Sequence, residues 1–206
     1  MLRLKELNIA DWFSLYRVLA MPLLVVLIIA GERQIFTWLL LISYATDMID
    51  GWLARTLKIS SARGSQLDSL GDQLTLGVAL LGLLYFEPGF ILKHLTLILI
   101  AFIPYVFQMA LALKKYGKAT AFHTYLAKVS ALAQGVFILW LLFFGPVYWL
   151  FYLMVALSIL ETFEEITLIF LYDQWVANVK GLYWAIKDKR RSPTKRAGDT
   201  GKHLNG

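Results

Sequence analysis

The sequence predicts an all-α integral membrane protein: six transmembrane helices with an N-terminal interfacial helix and a basic C-terminal tail. Two observations support this fold class. Of the 206 residues, 59% are hydrophobic and only 17% are charged, a composition typical of membrane proteins rather than soluble ones. Apolar stretches of about the length needed to cross a bilayer also recur along the chain. The chain has no cysteine, which excludes disulfides, thiolate zinc sites and cysteine nucleophiles.

The six predicted spans are residues 14–31, 34–50, 67–85, 95–113, 129–144 and 148–171. Turn signals separate them at Gly31, Pro88-Gly89 and Gly145-Pro146. The second span is short and ends in an acidic motif, so we expect its end to reach the membrane interface. The spans predict one membrane domain over residues 1–173, with a juxtamembrane helix at 1–13 and a six-helix bundle at 14–173. Residues 174–206 are expected to form an interfacial helix followed by a basic, partly disordered tail. The apolar residues that fall near one face of this helix are Trp175, Val176, Val179, Leu182, Tyr183 and Ile186.

The positions of the basic residues predict the orientation. With the N-terminus inside, all twenty lysines and arginines except Arg33 and Lys93 fall on the cytoplasmic side. This bias predicts that both termini lie on the cytoplasmic side, and for a bacterial host the expected location is the cytoplasmic membrane. The net charge of +6 then indicates an anionic membrane surface as partner rather than nucleic acid.

Four carboxylates lie close together in this apolar sequence, at Asp47, Asp50, Asp68 and Asp72. One aspartate at the centre of a membrane helix costs roughly 2.5–3.5 kcal/mol on insertion scales. Four facing lipid would cost on the order of 10 kcal/mol, comparable to the stability of a whole domain. The segment therefore needs a compensating charge, and divalent cations are the expected source.

The spacing of this segment predicts two helix faces that carry the carboxylates. Five positions at i, i+3, i+4, i+7 and i+8 share an arc of about 140° on one helix: Asp47, Asp50, Gly51, Ala54 and Arg55. Three positions at i, i+4 and i+8 share one face of the next helix: Gly64, Asp68 and Asp72. Two neighbouring helices can thus present two carboxylates each to a common cavity, and the orientation puts that cavity at the cytoplasmic side.

The donor set predicts two hard cations, Mg²⁺ or Mn²⁺, because it consists of carboxylate oxygens with no cysteine or histidine nearby. Small residues on the same faces permit close approach of a ligand, and Arg55 provides a cation for phosphate oxygens. Such a site suits displacement at phosphorus, with one carboxylate accepting the proton of an attacking hydroxyl.

The complete pattern D-x2-D-G-x2-A-R-x8-G-x3-D-x3-D is matched at all of its fixed positions between Asp47 and Asp72. It resembles the signature of the CDP-alcohol phosphatidyltransferase family, and the likeness extends over residues 7–171. The resemblance implies an integral membrane enzyme of phospholipid biosynthesis, usually a homodimer. It would transfer a phosphatidyl group from a CDP-linked lipid such as CDP-diacylglycerol to an alcohol acceptor, with release of CMP.

The resemblance also implies roles for the motif residues. Asp47, Asp50, Asp68 and Asp72 would hold two divalent cations, and Asp72 would double as the catalytic base. The CDP moiety would be bound by Asp47, Gly51, Ala54, Arg55 and Gly64.

The acceptor is left open by the sequence. The opening Leu7-Asn8-Ile9, followed by Arg17 and Pro22, is similar to that of glycerophosphate and cardiolipin synthases of the family. Those relatives usually continue D-P-L-A-D-K, from which Ser69, Gly71 and Gln73 depart. The run Leu67-Asp68-Ser69-Leu70, with Gly77 five residues after Asp72, is closer to phosphatidylserine-synthase-like members. Glycerol 3-phosphate, phosphatidylglycerol, serine, inositol and inositol phosphate all remain candidates.

Other polar residues have less specific interpretations. Arg17, Lys118 and Lys128 are candidates for binding the acceptor or a phosphate, with snorkelling to the interface as the alternative for Arg17. Three acidic residues lie near the middle of the last span, at Glu161, Glu164 and Glu165. They are expected to line a polar cavity, to pair with a buried base or to mark a dimer contact.

Two other functions are compatible with an intramembrane acidic site. One is a different magnesium-dependent transferase, such as a UbiA-like prenyltransferase, which would need more spans and differently spaced aspartates. The other is a transporter or scaffold that retains the metal site, for which repeated halves or broken helices would be expected.

Overall fold

The structure, a computed structural model, describes residues 9–57 and 62–189. Within these ranges the chain is all-helical, with eight helices and no strand; the only β-type pairing is an isolated parallel bridge between Ala121 and Ala177. The helices are α1 (Ile9–Ile29), α2 (Arg33–Leu57), α3 (Ala62–Phe86), α4 (Pro88–Lys93), α5 (Leu95–Tyr116), α6 (Tyr125–Phe144), α7 (Tyr148–Leu171) and α8 (residues 182–189). All six predicted apolar stretches are helical.

Two of the described helices, α5 and α6, are long and apolar enough to cross a membrane. Only 11% of the most apolar stretch of α5 and 28% of that of α6 is buried, whereas the core helix of a soluble protein would be mostly buried. These exposed apolar surfaces indicate a membrane protein. The apolar parts of α1 and α3 are shorter, Leu19–Ile29 and Leu74–Phe86, and α7 contains three glutamates. Six transmembrane spans therefore remain a prediction.

The structure differs from the sequence prediction at two helix beginnings. Residues 1–8 of the predicted N-terminal interfacial helix lie outside the described residues, and from Ile9 onward the chain is continuous with α1. Pro88-Gly89 opens the short helix α4 rather than an unstructured turn. Proline is favoured at the first helical position because its missing N–H has no helical partner there.

The first of two compact units comprises residues 1–94 and 135–147. In it α1 packs against both α2 and α3, and α2 and α3 contact each other. Leu24, Phe36, Leu40, Ala79 and Leu141 contribute fully buried side chains. This packing joins the two helices that carry the acidic motif.

Arg33, the first residue of α2, links that helix to the end of α6 within the same unit. Its guanidinium donates hydrogen bonds to the carbonyls of Leu142 at 3.0 Å and Leu141 at 3.2 Å. It also forms an ion pair of 2.5 Å with Glu87. The last carbonyls of a helix have no partner within it, so one side chain here satisfies two of them.

The second unit comprises residues 95–134 and 148–206. Here α5 packs against α7, and their ends are covered by the loop 117–124 and by residues 172–189. A buried apolar cluster joins these parts: Ala112, Phe122, Leu168, Ile169, Val179 and Ala185.

The predicted C-terminal interfacial helix is shorter than expected. The sequence indicated a helical face from Trp175 to Ile186, but the helix begins at residue 182. Asn178 has a positive φ of 58°, and its N–H donates to the carbonyl of Ala121 at 3.1 Å. The N–H of Val179 donates to Phe122 at 2.7 Å. The backbone here therefore pairs with the loop 117–124 instead of forming a helix.

Candidate active site

The residues of the acidic motif lie on two helices of the first unit. Asp47, Asp50, Gly51, Ala54 and Arg55 fall in the second half of α2, and Gly64, Asp68 and Asp72 fall in the first half of α3. Their helical backbone is described, whereas their side chains lie outside the described part of the structure. This secondary structure agrees with the expectation that the motif positions lie on two successive helices. The roles of the individual side chains stay predictions.

The helices α2 and α3 approach each other closely at the end opposite the motif. Phe36, near the start of α2, is fully buried and packs in a tilted arrangement against Phe86 at the end of α3, with ring centroids 5.4 Å apart. A Cβ atom added to Gly82 would overlap the Phe36 ring. Glycine is therefore required at position 82 for this approach. Since the beginning of α2 meets the end of α3, the two helices run antiparallel.

Buried hydroxyls lie one turn from the motif on each helix. Ser43, four residues before Asp47, is fully buried, and Thr75, three residues after Asp72, is nearly so. The Thr75 hydroxyl donates to the carbonyl of Gly71 at 2.7 Å. Among the described residues, the Ser43 hydroxyl is the one buried side-chain polar atom without a hydrogen-bond partner. Sequence reasoning missed both residues, although their helical spacing from the aspartates was a usable signal.

The glutamates of α7 have partners within the second unit. Glu165 Oε2 accepts hydrogen bonds from Gln108 Nε2 at 2.6 Å and from the Thr120 hydroxyl at 2.7 Å. Glu164 Oε2 accepts one from the Thr124 hydroxyl at 2.6 Å, and its Oε1 accepts the N–H of Leu182 at 2.9 Å. The donors are neutral groups rather than the buried base that was one alternative from sequence, and they give Glu164 and Glu165 an internal structural role.

The three basic residues proposed as acceptor ligands have different surroundings. Arg17 lies on α1, but its side chain is outside the described part. Lys118 and Lys128 belong to the second unit and are exposed. The Lys118 ammonium lies 3.7 Å from the centroid of the Trp175 ring, and that of Lys128 lies 5.7 Å from the Tyr125 ring. A role in acceptor binding stays a prediction for all three.

No group of three or more histidine, aspartate or glutamate side chains suited to a metal ion occurs within the residues that are described. The side chains of the four motif aspartates lie outside the described residues, and the two cations stay a prediction.

A comparison with protein-family models gives a match over residues 7–161, to CDP-alcohol phosphatidyltransferase. The match covers most of the chain, including all eight motif positions. The chain belongs to the CDP-alcohol phosphatidyltransferase family. The resemblance seen in the motif is thereby confirmed.

Curated relatives are similar over a shorter region. A CDP-diacylglycerol–glycerol-3-phosphate 3-phosphatidyltransferase of Yersinia pestis (strain Pestoides F) is 33% identical over 78 residues, which is 36% of this chain and 43% of the relative. Enzymes of the same name from Yersinia pseudotuberculosis and Yersinia enterocolitica are 33% and 32% identical over the same shares. The aligned region thus spans less than half the length of these relatives.

Proposed function

We propose that this protein transfers a phosphatidyl group from CDP-diacylglycerol, or a similar CDP-linked lipid, to an alcohol acceptor with release of CMP. The observation that carries the proposal is the complete family motif on two contacting antiparallel helices, α2 and α3. Family membership supports the reaction class and a place in phospholipid biosynthesis.

The register of the two helices supports a common site. Phe36 and Gly82 lie side by side at one end of the pair. The separation in sequence from Phe36 to Asp50 on α2 equals that from Gly82 to Asp68 on α3. Because every α-helix rises about 1.5 Å per residue, equal separations correspond to equal distances along the two helices. If the helices stay side by side, Asp50 is level with Asp68, and Asp47 is within one residue of the level of Asp72. The four carboxylates would then form two pairs about one turn apart.

The four aspartates fit the two proposed divalent cations. Carboxylate oxygens are the ligands preferred by Mg²⁺ and Mn²⁺, and the chain has no cysteine to favour a softer metal. Asp47, Asp50, Asp68 and Asp72 would hold the ions. When bound, such ions neutralise the diphosphate and the charge that develops on the leaving oxygen.

The remaining motif residues would bind the nucleotide and activate the acceptor. Gly51, Ala54 and Gly64 leave room on the two helices for the CDP group, and Arg55 would bind its phosphate oxygens. The acceptor oxygen attacks the phosphorus that carries the diacylglycerol, and the bond from this phosphorus to the bridging oxygen breaks as CMP leaves. Asp72 accepts the proton of the acceptor hydroxyl.

Glycerol 3-phosphate is the acceptor we propose to test first, because the similar Yersinia enzymes are named for it. The residues at 69, 71 and 73, which differ from the pattern of glycerophosphate synthases, argue for testing a panel. Serine, inositol, inositol phosphate and phosphatidylglycerol complete it.

We further propose a homodimer in the cytoplasmic membrane, with both termini and the motif on the cytoplasmic side. The distribution of lysine and arginine supports this orientation. Family membership supports the dimer.

The experiment that tests the proposal supplies the purified protein with CDP-diacylglycerol, Mg²⁺ or Mn²⁺ and each acceptor in turn, and measures CMP. The expected result is CMP release that depends on both the metal and one acceptor. The absence of CMP with every acceptor would contradict the proposal for this donor. It would instead favour a different intramembrane transferase or a non-catalytic transporter or scaffold.

A further inference from the structure

The second unit carries an exposed surface of aromatic and basic side chains, which we call the aromatic–lysine patch. It consists of Trp175, Tyr183, Trp184, Tyr125, Ile186, Lys118, Lys128 and Lys187. The rings are large and accessible: Tyr183 is 67% exposed, Tyr125 57% and Trp184 42%. Exposed aromatic rings of this size would be costly in water, so they point to a partner.

Three of the rings and two of the ammonium groups form one connected series. Tyr125 and Trp184 meet edge to face with centroids 5.8 Å apart, and Trp184 meets Tyr183 at 5.6 Å. A lysine ammonium lies beside each end of this series, Lys128 at 5.7 Å from Tyr125 and Lys187 at 5.8 Å from Tyr183. Lys118 over Trp175 forms a second pair at 3.7 Å. Each positive charge is thus held beside an apolar ring.

The framework under the patch is built by specific contacts. Trp175 Nε1 donates to the carbonyl of Ala119 at 3.0 Å, and the N–H of Tyr125 donates to the carbonyl of Lys180 at 3.2 Å. Glu164 accepts hydrogen bonds from the Thr124 hydroxyl and the N–H of Leu182. These bonds join the loop before α6 to the C-terminal segment, so the patch is a preformed surface.

The position of the patch fits the membrane interface. Lys118 lies just after α5, and Tyr125 and Lys128 lie in the first turn of α6; these are the two helices that are long and apolar enough to span a bilayer. The ends of such helices lie at headgroup depth, where tryptophan and tyrosine are enriched and lysine reaches toward phosphates. The charge is complementary to anionic lipids, because residues 117–128 and 172–189 contain five lysines and two aspartates.

We infer that the aromatic–lysine patch binds the anionic headgroups of the membrane leaflet that it faces. The rings lie at the level of the headgroups and glycerol esters, and the three lysines contact lipid phosphates. The patch thereby concentrates anionic phospholipid beside the loop 117–124. This proposal does not rest on the transferase reaction, since lipid contact is measured without turnover.

The absence of cysteine from the chain makes a direct test possible. The full-length Ile186→Cys variant carries a fluorophore in the patch and is placed in phosphatidylcholine nanodiscs. Quenching is measured with a trace of nitroxide-labelled phosphatidylserine or nitroxide-labelled phosphatidylcholine. The matched control is Trp149→Cys, on the 69% exposed ring at the start of α7. It lies in a stretch, residues 129–179, that has no lysine or arginine.

At low salt we expect phosphatidylserine to quench the label at position 186 several-fold more than phosphatidylcholine, and the label at 149 equally with both. One lysine near an anionic surface is worth about a fivefold change in lipid partition. The triple substitution Lys118→Gln, Lys128→Gln and Lys187→Gln should therefore abolish the preference, and so should high salt. A tail variant with Lys195, Arg196 and Lys202 changed to glutamine removes the same charge and should retain the preference.

Two results would overturn the proposal. Equal quenching of position 186 by the two lipids would show that the patch does not select anionic headgroups. Equal loss of the preference in the patch variant and the tail variant would show that overall charge, not this surface, attracts the lipid. The salt series needs no substitution, so the proposal stays testable if the triple variant folds poorly.

Discussion

Two groups of acidic residues in this apolar chain are accommodated in different ways. On α7, Glu164 and Glu165 accept hydrogen bonds from Thr120, Thr124, Gln108 and the backbone of residue 182. On α2 and α3, the aspartates are spaced with glycine, alanine and arginine in a complete family motif. The protein itself provides hydrogen-bond donors for the glutamates of the first group. For the aspartates of the second group, we propose that bound divalent cations compensate for the charge.

The comparison shows that the number of acids in an apolar sequence does not identify a functional site. A carboxylate that has protein donors is a structural element, because its charge is already compensated. A carboxylate that is positioned to bind a ligand needs that ligand, here a cation, to compensate for its charge. The following experiments separate these two cases, from the largest expected effect to the smallest.

The largest effect is expected from Asp72→Asn. If Asp72 is the base, its loss should lower CMP release by about 10²–10⁴-fold. Nucleotide binding should be retained better than in Asp47→Asn, because Asp47 is proposed to bind the CDP moiety as well as a cation, whereas Asp72 is not among the CDP ligands. The matched variant Glu165→Gln, which changes an α7 acid, should lower the rate far less. A near-normal rate of CMP release by Asp72→Asn would show that Asp72 is not the catalytic base.

A smaller effect is expected when the contact between α2 and α3 is disturbed. Gly82→Ala introduces a Cβ that overlaps the buried Phe36 ring, and such overpacking costs about 1–3 kcal/mol. The thermal stability of the purified protein should fall, and CMP release should fall as the motif helices shift. Gly77→Ala, on the exposed face of the same helix with no atom within 4 Å of the added Cβ, is the control and should lower neither, because alanine is favoured over glycine inside a helix. Equal behaviour of the two variants would argue against a tight α2–α3 contact.

The contribution of Glu164 is tested by Glu164→Ala. This change leaves the Thr124 hydroxyl and the Leu182 N–H without their acceptor, which costs about 1–3 kcal/mol when such groups are buried. We expect a lower melting temperature and faster proteolysis within residues 172–189. Glu32→Ala, at an exposed acid in the turn before α2, should change neither. Unaltered stability in Glu164→Ala would show that the hydrogen bonds of Glu164 with Thr124 and Leu182 do not stabilise the C-terminal segment.

The smallest effect is expected for an acid that water already solvates. The Asp173 side chain is 95% exposed and lies 3.8 Å from the Lys115 ammonium. Pairs of this kind contribute about 0–1 kcal/mol. Asp173→Asn should therefore leave the melting temperature within error of the parent protein. A large loss would mean that exposure is a poor guide to the role of acids in this chain.

The fold and the candidate site were predictable from sequence to different degrees. The helices and the motif positions on α2 and α3 followed from apolar periodicity and local spacing, which act within a few turns. The partners of Glu165 did not, because Gln108 and Thr120 are 57 and 45 residues away in the chain. The C-terminal segment was also misjudged: its apolar face indicated a helix from Trp175, but backbone pairing with Ala121 and Phe122 decides its conformation.

The central claim is that the motif on α2 and α3 performs metal-dependent phosphatidyl transfer. The most direct test measures CMP formed from CDP-diacylglycerol and glycerol 3-phosphate by the parent protein, with and without a chelator, beside the other acceptors and the Asp72→Asn variant. We predict release with one acceptor that the chelator stops, that excess Mg²⁺ or Mn²⁺ restores, and that Asp72→Asn lacks. CMP release that persists in the chelator and in Asp72→Asn would contradict the account.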